Sequence, residues 1–283
     1  MPVGPSTEEP FLRDTLESIR EFVPDHRLIV LDDSRTATLV QALPEDATVI
    51  VAREEYQGWQ GELYRSLSLG FREALSQPFD VLLRMDTDAL LLGGTFVDRA
   101  SRLFASEPRL GALGAYRTDY DGRSRGYSAP AYRLRLMLTK EAWSDPSRTV
   151  RVGSLLARAY AHRGYRRGQF VLGGATLYSP AVIRALERAG LLDDPRLGRT
   201  RMGEDHIFGL CMSALGFEMR DYGTAADDLP FGATWKGLPA SPEELLARGK
   251  EIVHSTKSHD GQDEGTVREI FRRAREAGRE PIV

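Results

Sequence analysis

Short apolar runs and longer amphipathic stretches take turns along the first third of the chain. Phe11, Thr15, Leu16, Ile19 and Phe22 recur at helical spacing, which predicts a helix over residues 8–23. Ser6 or Thr7 can cap it, Pro10 is tolerated in its first turn, and Pro24 ends it. The run Arg27-Leu28-Ile29-Val30-Leu31 is short and apolar and runs into Asp32-Asp33-Ser34, the pattern of a buried strand feeding a polar loop. A second strand is expected over 48–52, a helix over 59–76, and a third strand at Val81-Leu82-Leu83-Arg84-Met85, followed at once by Asp86-Thr87-Asp88. Strands alternating with helices predict an α/β fold with a single, mostly parallel central sheet flanked by helices.

The pattern continues with a helix near 96–106, a strand near 110–115, and two helices over 132–143 and 150–162 separated by Asp145-Pro146. A strand pair is expected at 169–172 and 175–178 around Gly173-Gly174, then a helix opened by Pro180, a polar loop over 192–202, and a helix starting at Glu204-Asp205. A loop rich in Gly, Asp and Pro spans 223–237, and the segment Ile252 to Lys257 precedes a charged terminal helix over 264–277. There is no internal repeat and no long linker.

Composition narrows the class. The 283 residues are 41% hydrophobic and 28% charged, which excludes a disordered or collagenous chain. The single cysteine, Cys211, cannot close an intrachain disulfide and reads as a small buried hydrophobe. No run approaches the ~20 apolar residues of a membrane span, and the first ten residues lack both the basic and the apolar parts of a signal peptide, so a cytoplasmic location is expected. The formal net charge of −3 conceals an asymmetry. Residues 117–167 carry 12 Arg and Lys against Asp119, Asp121, Glu141 and Asp145, a local +8 that leaves −11 on the remainder. Such a segment attracts anionic partners, unless its charges pair with carboxylates elsewhere in the fold. Nucleic acid fits poorly, because no aromatic residues are interleaved on a strand platform.

In open α/β sheets, ligands bind beyond the carboxyl ends of the strands, where both Asp32-Asp33 and Asp86-Thr87-Asp88 fall. Two carboxylates two positions apart can point the same way on an extended chain, and a divalent cation relieves their repulsion; oxygen ligands suit Mg²⁺ or Mn²⁺. The same pair also suits a strand-end turn whose carboxylates cap backbone amides. Asp32 or Asp33 is placed to accept hydrogen bonds from a ribose or base, and the absence of a Gly-x-Gly-x-x-Gly turn argues against a dinucleotide dehydrogenase. Glu204-Asp205 opens a helix, as ordinary capping also selects, and either carboxylate facing the cleft can take a proton from an attacking hydroxyl. Asp205 is preferred as that base, with Glu204 binding or orienting the acceptor. His254 can complete a metal site with a nitrogen favouring Mn²⁺, or finish a buried strand; Lys257 can neutralise a leaving diphosphate. His26, His162, His206 and His259 read as surface or helix residues.

In this order the residues resemble the GT-A fold glycosyltransferases that use nucleotide-diphospho-sugars, closest to the family 2 group. The order is an Asp after an early strand, Asp-x-Asp after a later one, a Gly-Gly turn, Glu-Asp at a helix start and a late His. The resemblance covers residues 2–257 and implies a GT-A domain with a nucleotide-sugar half over 1–115 and an acceptor half over 116–257, followed by a helical extension over 258–283. It places Pro2-Val3-Gly4 in the nucleotide-contacting loop, Asp32 or Asp33 on the base or ribose, and Arg53 with the segment 57–67 beside them. It makes Asp86 and Asp88 the metal and ribose motif, with Asp88 the direct metal ligand of the two, and His254 the late metal ligand. Two departures stand out. The family's first strand precedes the Pro-Val-Gly loop and is missing or truncated here, and no Gln-x-x-Arg-Trp element is present, which speaks for addition of a single sugar.

The resemblance thus implies a metal-dependent transferase, using Mn²⁺ or Mg²⁺ and a UDP- or GDP-sugar, that transfers to a hydroxyl acceptor, either inverting with Asp205 as base or retaining with Asp205 as an orienting group only. The basic segment 117–167 would bind an anionic or lipid-linked acceptor or contact the inner membrane face peripherally. Competing readings are a phosphatase built on Asp-x-Asp, a nucleotidyltransferase, and a non-catalytic glycan-binding domain of the same shape.

Overall fold

The computed structural model describes residues 1–33, 43–51, 61–162 and 164–279. A two-residue strand β1 (Pro2–Val3) is followed by α1 (Glu9–Phe22), β2 (Ile29–Asp32), β3 (Thr48–Val51) and α2 (Gly61–Ala74). β4 (Leu82–Met85) and β5 (Ala89–Leu91) are separated only by Asp86-Thr87-Asp88, and then come α3 (Thr95–Ser106) and β6 (Leu110–Gly114). The middle of the chain holds α4 (Ser128–Leu138), α5 (Pro146–Ala161), β7 (Ala175–Tyr178), α6 (Pro180–Arg188), the single turn α7 (Pro195–Gly198) and α8 (Glu204–Ala214). It closes with β8 (Glu218–Asp221), β9 (Phe231–Ala233), α9 (Pro242–Ala247), β10 (Ile252–His254), the β11 (Ser258–His259) and β12 (Gln262–Asp263) pair, and α10 (Glu264–Arg279).

The α/β class holds, but the single, mostly parallel sheet does not. The strands fall into a parallel β1-β2-β3 sheet, a mixed β4-β7-β6-β8 sheet, a mixed β5-β10-β9 sheet and the small β11-β12 pair. The reason lies in β7. Its pairing runs Ala175 opposite Met85 to Tyr178 opposite Leu82, antiparallel to β4 and also to β6. A crossover that delivers the strand from the opposite end gives this direction, where a βαβ unit would give a parallel one. Residues 169–172, expected as a strand, are not one: Leu172 donates to the Ala115 carbonyl and the run leads directly into the Gly173-Gly174 turn. Pro2-Val3, expected in a loop, is a strand paired in register with Leu31 and Asp32. The first helix is capped at Glu8 with no side-chain bond, so neither Ser6 nor Thr7 serves.

Helix α1 buries Leu12, Leu16 and Ile19 at helical spacing, together with two hydroxyls. Thr15 Oγ1 donates to the Thr87 and Ala89 carbonyls at 2.8 and 3.2 Å, and Ser18 Oγ accepts from the Leu91 amide. The helix therefore straps the segment joining β4 to β5. Helix α8 is buried from Ile207 to Ala214 and packs on α5 and α2, and burial pushes the Cys211 thiol up to about 12, as befits an inert core side chain. Helix α10 returns to α1: buried Arg268 donates to Asp14, Glu264 and the Phe11 and Thr87 carbonyls.

Candidate metal and nucleotide site

The chain does not stay extended through Asp86-Thr87-Asp88. It turns: the Ala89 amide donates to the Asp86 carbonyl, and the Asp86 amide donates to the carbonyl of Gly174. Three strand contacts then bring a distant residue alongside. β10 pairs antiparallel with β5 so that His254 sits opposite Ala89, next to Asp88. Thr256 binds the Asp88 carbonyl through its amide at 2.8 Å and its hydroxyl at 3.0 Å, and Ser255 Oγ donates to Asp88 Oδ2 at 2.5 Å.

As a result, one ligand atom each from Asp86, Asp88 and His254 lies within 4.8 Å of the others. His254 Nε2 is 3.5 Å from Asp88 Oδ1 and 4.0 Å from Asp86 Oδ2. Around an ion with ~2.1 Å bonds, adjacent ligands stand ~3 Å apart and opposite ones ~4.2 Å apart, so the observed spacing is of the right order. Two hard oxygens and an imidazole form a donor set for a divalent cation, in which the nitrogen is less suited to oxygen-seeking Mg²⁺ than to Mn²⁺. Gly174 makes the fit possible: a Cβ at this position would lie 2.1–2.3 Å from the His254 ring. Burial disfavours the Asp88 charge, but the His254 and Ser255 contacts and the Lys257 ammonium outweigh it and hold this carboxyl far below the usual range. Lys257 Nζ stands 3.4 Å from Asp88 Oδ2 on a side chain that is otherwise exposed.

A second cluster adjoins the first through a buried arginine. Arg84 Nη2 is 2.9 Å from Asp86 Oδ1 and 3.0 Å from Glu204 Oε1. Gly173 lies against the same pair, where a Cβ would meet Arg84 Nη1 at 2.9 Å and Glu204 Oε1 at 3.0 Å. Burial, and then the neighbouring Asp205, raise the Glu204 carboxyl toward neutrality in spite of Arg84. Burial likewise raises Asp205, whose Oδ1 accepts from the His206 amide at 2.8 Å. His206 packs edge-on against Phe170 with centroids 4.0 Å apart, and burial lowers it to about 4, so its ring is neutral at pH 7.

The remaining sequence-derived residues divide. Asp32 and Asp33 stand at the carboxyl end of β2, with the Asp33 amide donating to the Val3 carbonyl at 2.9 Å. The Val3 side chain lies in an apolar cluster with Leu12, Leu16 and Val30 and offers a ligand only its backbone. Arg53 and residues 57–60 lie outside the described residues, and 61–67 form the start of α2. Sequence reasoning gave no role to Arg84, Ser255, Thr256 or Arg268. Arg84 carried a signal, since an arginine inside an apolar strand demands a buried partner.

No family model and no curated protein matches the chain. Solved structures do match. A mannosyltransferase from Pyrobaculum calidifontis, solved with GDP-Man and Mn²⁺, is 15% identical over 99% of this chain and 64% of its own, with a TM-score of 0.46. The galactosyltransferase LgtC with donor and acceptor sugar analogs is 13% identical over 97% of this chain and 93% of its own, with a TM-score of 0.45. Mouse xyloside xylosyltransferase 1 is 13% identical over 87% and 91%, with a TM-score of 0.43. This chain thus spans less than two thirds of the mannosyltransferase's length. Similarity of this degree assigns no activity, and what the site can do rests on its own side chains.

Proposed function

We propose that this chain is a metal-dependent glycosyltransferase that moves one sugar from a nucleoside-diphosphate sugar to a hydroxyl acceptor. The convergence of Asp86, Asp88 and His254 at the end of β4 carries the reading. Bound there, a divalent cation would supply Lewis-acid stabilisation of a diphosphate as it leaves, worth several kcal/mol in such sites. Lys257 adds an exposed point charge on the same side of Asp88. Asp32 and Asp33 at the β2 end are offered to the ribose or base. Arg84 orients Asp86 toward the cluster and fixes Glu204 at the start of α8.

Asp205 is the proposed base. A carboxyl lifted by burial toward neutral pH accepts a proton from an attacking hydroxyl more readily than an ordinary one, and a base on the face opposite the leaving diphosphate gives inversion. The acceptor side is framed by the turn after β9, whose Thr234 amide donates to the His254 carbonyl at 2.7 Å. That turn presents Trp235, a largely exposed ring suited to the apolar face of a sugar.

The test is turnover of a panel of UDP- and GDP-sugars with Mn²⁺, read as nucleoside-diphosphate release and the anomeric configuration of the product. Release by the wild-type chain and a loss of about 100-fold or more in Asp88→Asn are expected. Hydrolysis of a simple phosphomonoester, with no turnover of any nucleotide sugar, would make the chain a phosphatase instead.

A further inference from the structure

The hairpin of α4 and α5 carries six Arg and Lys and only two carboxylates between Ser128 and Ala161. Several of these cations are already used. Arg148 is buried against Glu141, Arg151 pairs with Asp194 at 2.7 Å, and Arg133 lies 3.8 Å from Glu141. Arg135 and Lys140 are exposed and have no carboxylate partner among the described residues. Tyr132 and Arg135, one turn apart on α4, and Thr139 at its C-cap are exposed, Tyr132 to 59%. The chain then reverses in a tight turn, and Trp143 projects from it with 92% of its surface in water. Val150, one turn into α5, is 72% exposed.

This turn is firmly built. The Glu141 amide donates to the Leu136 carbonyl, Ala142 to Thr139 and Ser144 to Glu141, at 3.0–3.3 Å. Thr149 Oγ1 donates back to the Met137 carbonyl at 3.2 Å, and Asp145 caps α5 by accepting from the Arg148 amide at 3.0 Å. A fixed turn thus holds the most exposed large apolar side chain among the described residues in water, a position in which it gains free energy by entering another apolar medium. An exposed indole, near in sequence to a second exposed aromatic and to two cations that have no carboxylate partner among the described residues, is the chemistry of an interfacial anchor. The ring lies at headgroup depth, and the cations meet anionic lipid.

We infer that the α4–α5 turn docks the protein on an anionic lipid bilayer, with Trp143 inserted at the interface and Arg135 and Lys140 against the headgroups. Contact through this turn does not depend on the metal cluster, so it stands or falls apart from the proposed transferase activity. The test is sedimentation of the full chain with vesicles of phosphatidylcholine alone or mixed with phosphatidylglycerol, without nucleotide or Mn²⁺. Binding only to the mixed vesicles is expected, falling steeply as salt rises to ~0.5 M, with a blue shift of tryptophan emission. Trp143→Ala should weaken binding at least ~10-fold and abolish most of the blue shift, and Arg135→Glu with Lys140→Glu should weaken it by as much or more. Both variants should keep the wild-type melting temperature, because the replaced side chains are exposed. Failure to bind the mixed vesicles, equal binding to both kinds, or binding that survives Trp143→Ala would each overturn the inference.

Discussion

Arg84 is where the two carboxylate clusters meet, and Glu204 is its partner at the start of α8. Burial first, and then Asp205, raise the Glu204 carboxyl, so its folded-state pKa lies above that of the unfolded chain. A group shifted in this direction contributes stability that is complete below the ordinary carboxylate range and is lost as pH rises through the raised value. Glu204→Gln removes the ionisation and keeps the shape. The variant is expected to match wild type near pH 4 and to gain on the order of 1 kcal/mol on it by pH 8, read by urea unfolding at the two pH values. A gain that is equal at both, or larger in acid, would contradict the assigned burial. At this scale much was legible in the sequence: Asp86, Asp88 and His254 were picked out because each follows an apolar run. Arg84 stood within the same motif, but its role depends on Glu204, 120 positions away, and no spacing rule reports such a contact.

Among the elements, the decisive one is the antiparallel pairing of β5 and β10, since it delivers His254 to Asp88. Neither β5 nor β9 was visible beforehand. Ala89-Leu90-Leu91 is only three residues long and fully buried, and Phe231-Gly232-Ala233 lies within a Gly- and Pro-rich stretch. Strands so short exist because of their partners, with β10 pairing to both, and local periodicity cannot show that. β8 reads Glu-Met-Arg-Asp, a polar sequence tolerated where one side of the sheet ends. The longer helices α1, α2, α3, α5, α8 and α10 were legible to within a few residues, since their apolar stripes are intrinsic to the sequence. Helix α10 also supports the site. Arg268, buried at its second turn, bonds Asp14 on α1, Glu264 on its own helix and the carbonyl of Thr87 between the two candidate ligands. Arg268→Ala removes the donor that Asp14, Glu264 and the Thr87 carbonyl share, but Asp14 keeps Arg275 and Glu264 keeps the Thr256 hydroxyl, so the expected cost is about 1.5–3 kcal/mol in chemical denaturation. A cost below ~1 kcal/mol would show that α10 is not part of the cooperative unit.

Across the whole molecule, the fold joins residues from both ends of the sequence at one place. The β4-to-β5 turn contributes two carboxylates, β10 an imidazole, the start of α8 two further carboxyls, and Gly173-Gly174 the room for all of them. The expectation of one parallel sheet foundered on the direction of β7, yet the same antiparallel strand sets the Gly-Gly turn against His254 and Arg84. The basic middle of the chain lies partly in ion pairs within the fold and partly, at Arg135 and Lys140, on its surface, so net charge alone does not locate a partner.

The central claim is that Asp86, Asp88 and His254 hold a divalent cation that fastens a nucleoside diphosphate. Calorimetric titration of the wild-type chain and His254→Ala with UDP, GDP and TDP, each with and without Mn²⁺, addresses it most directly. One of the three nucleotides should bind in the presence of Mn²⁺, and its affinity should fall at least ~10-fold when the metal is withheld or the imidazole removed. Binding that is indifferent to both Mn²⁺ and His254, or no binding of any nucleoside diphosphate with Mn²⁺ present, would contradict it.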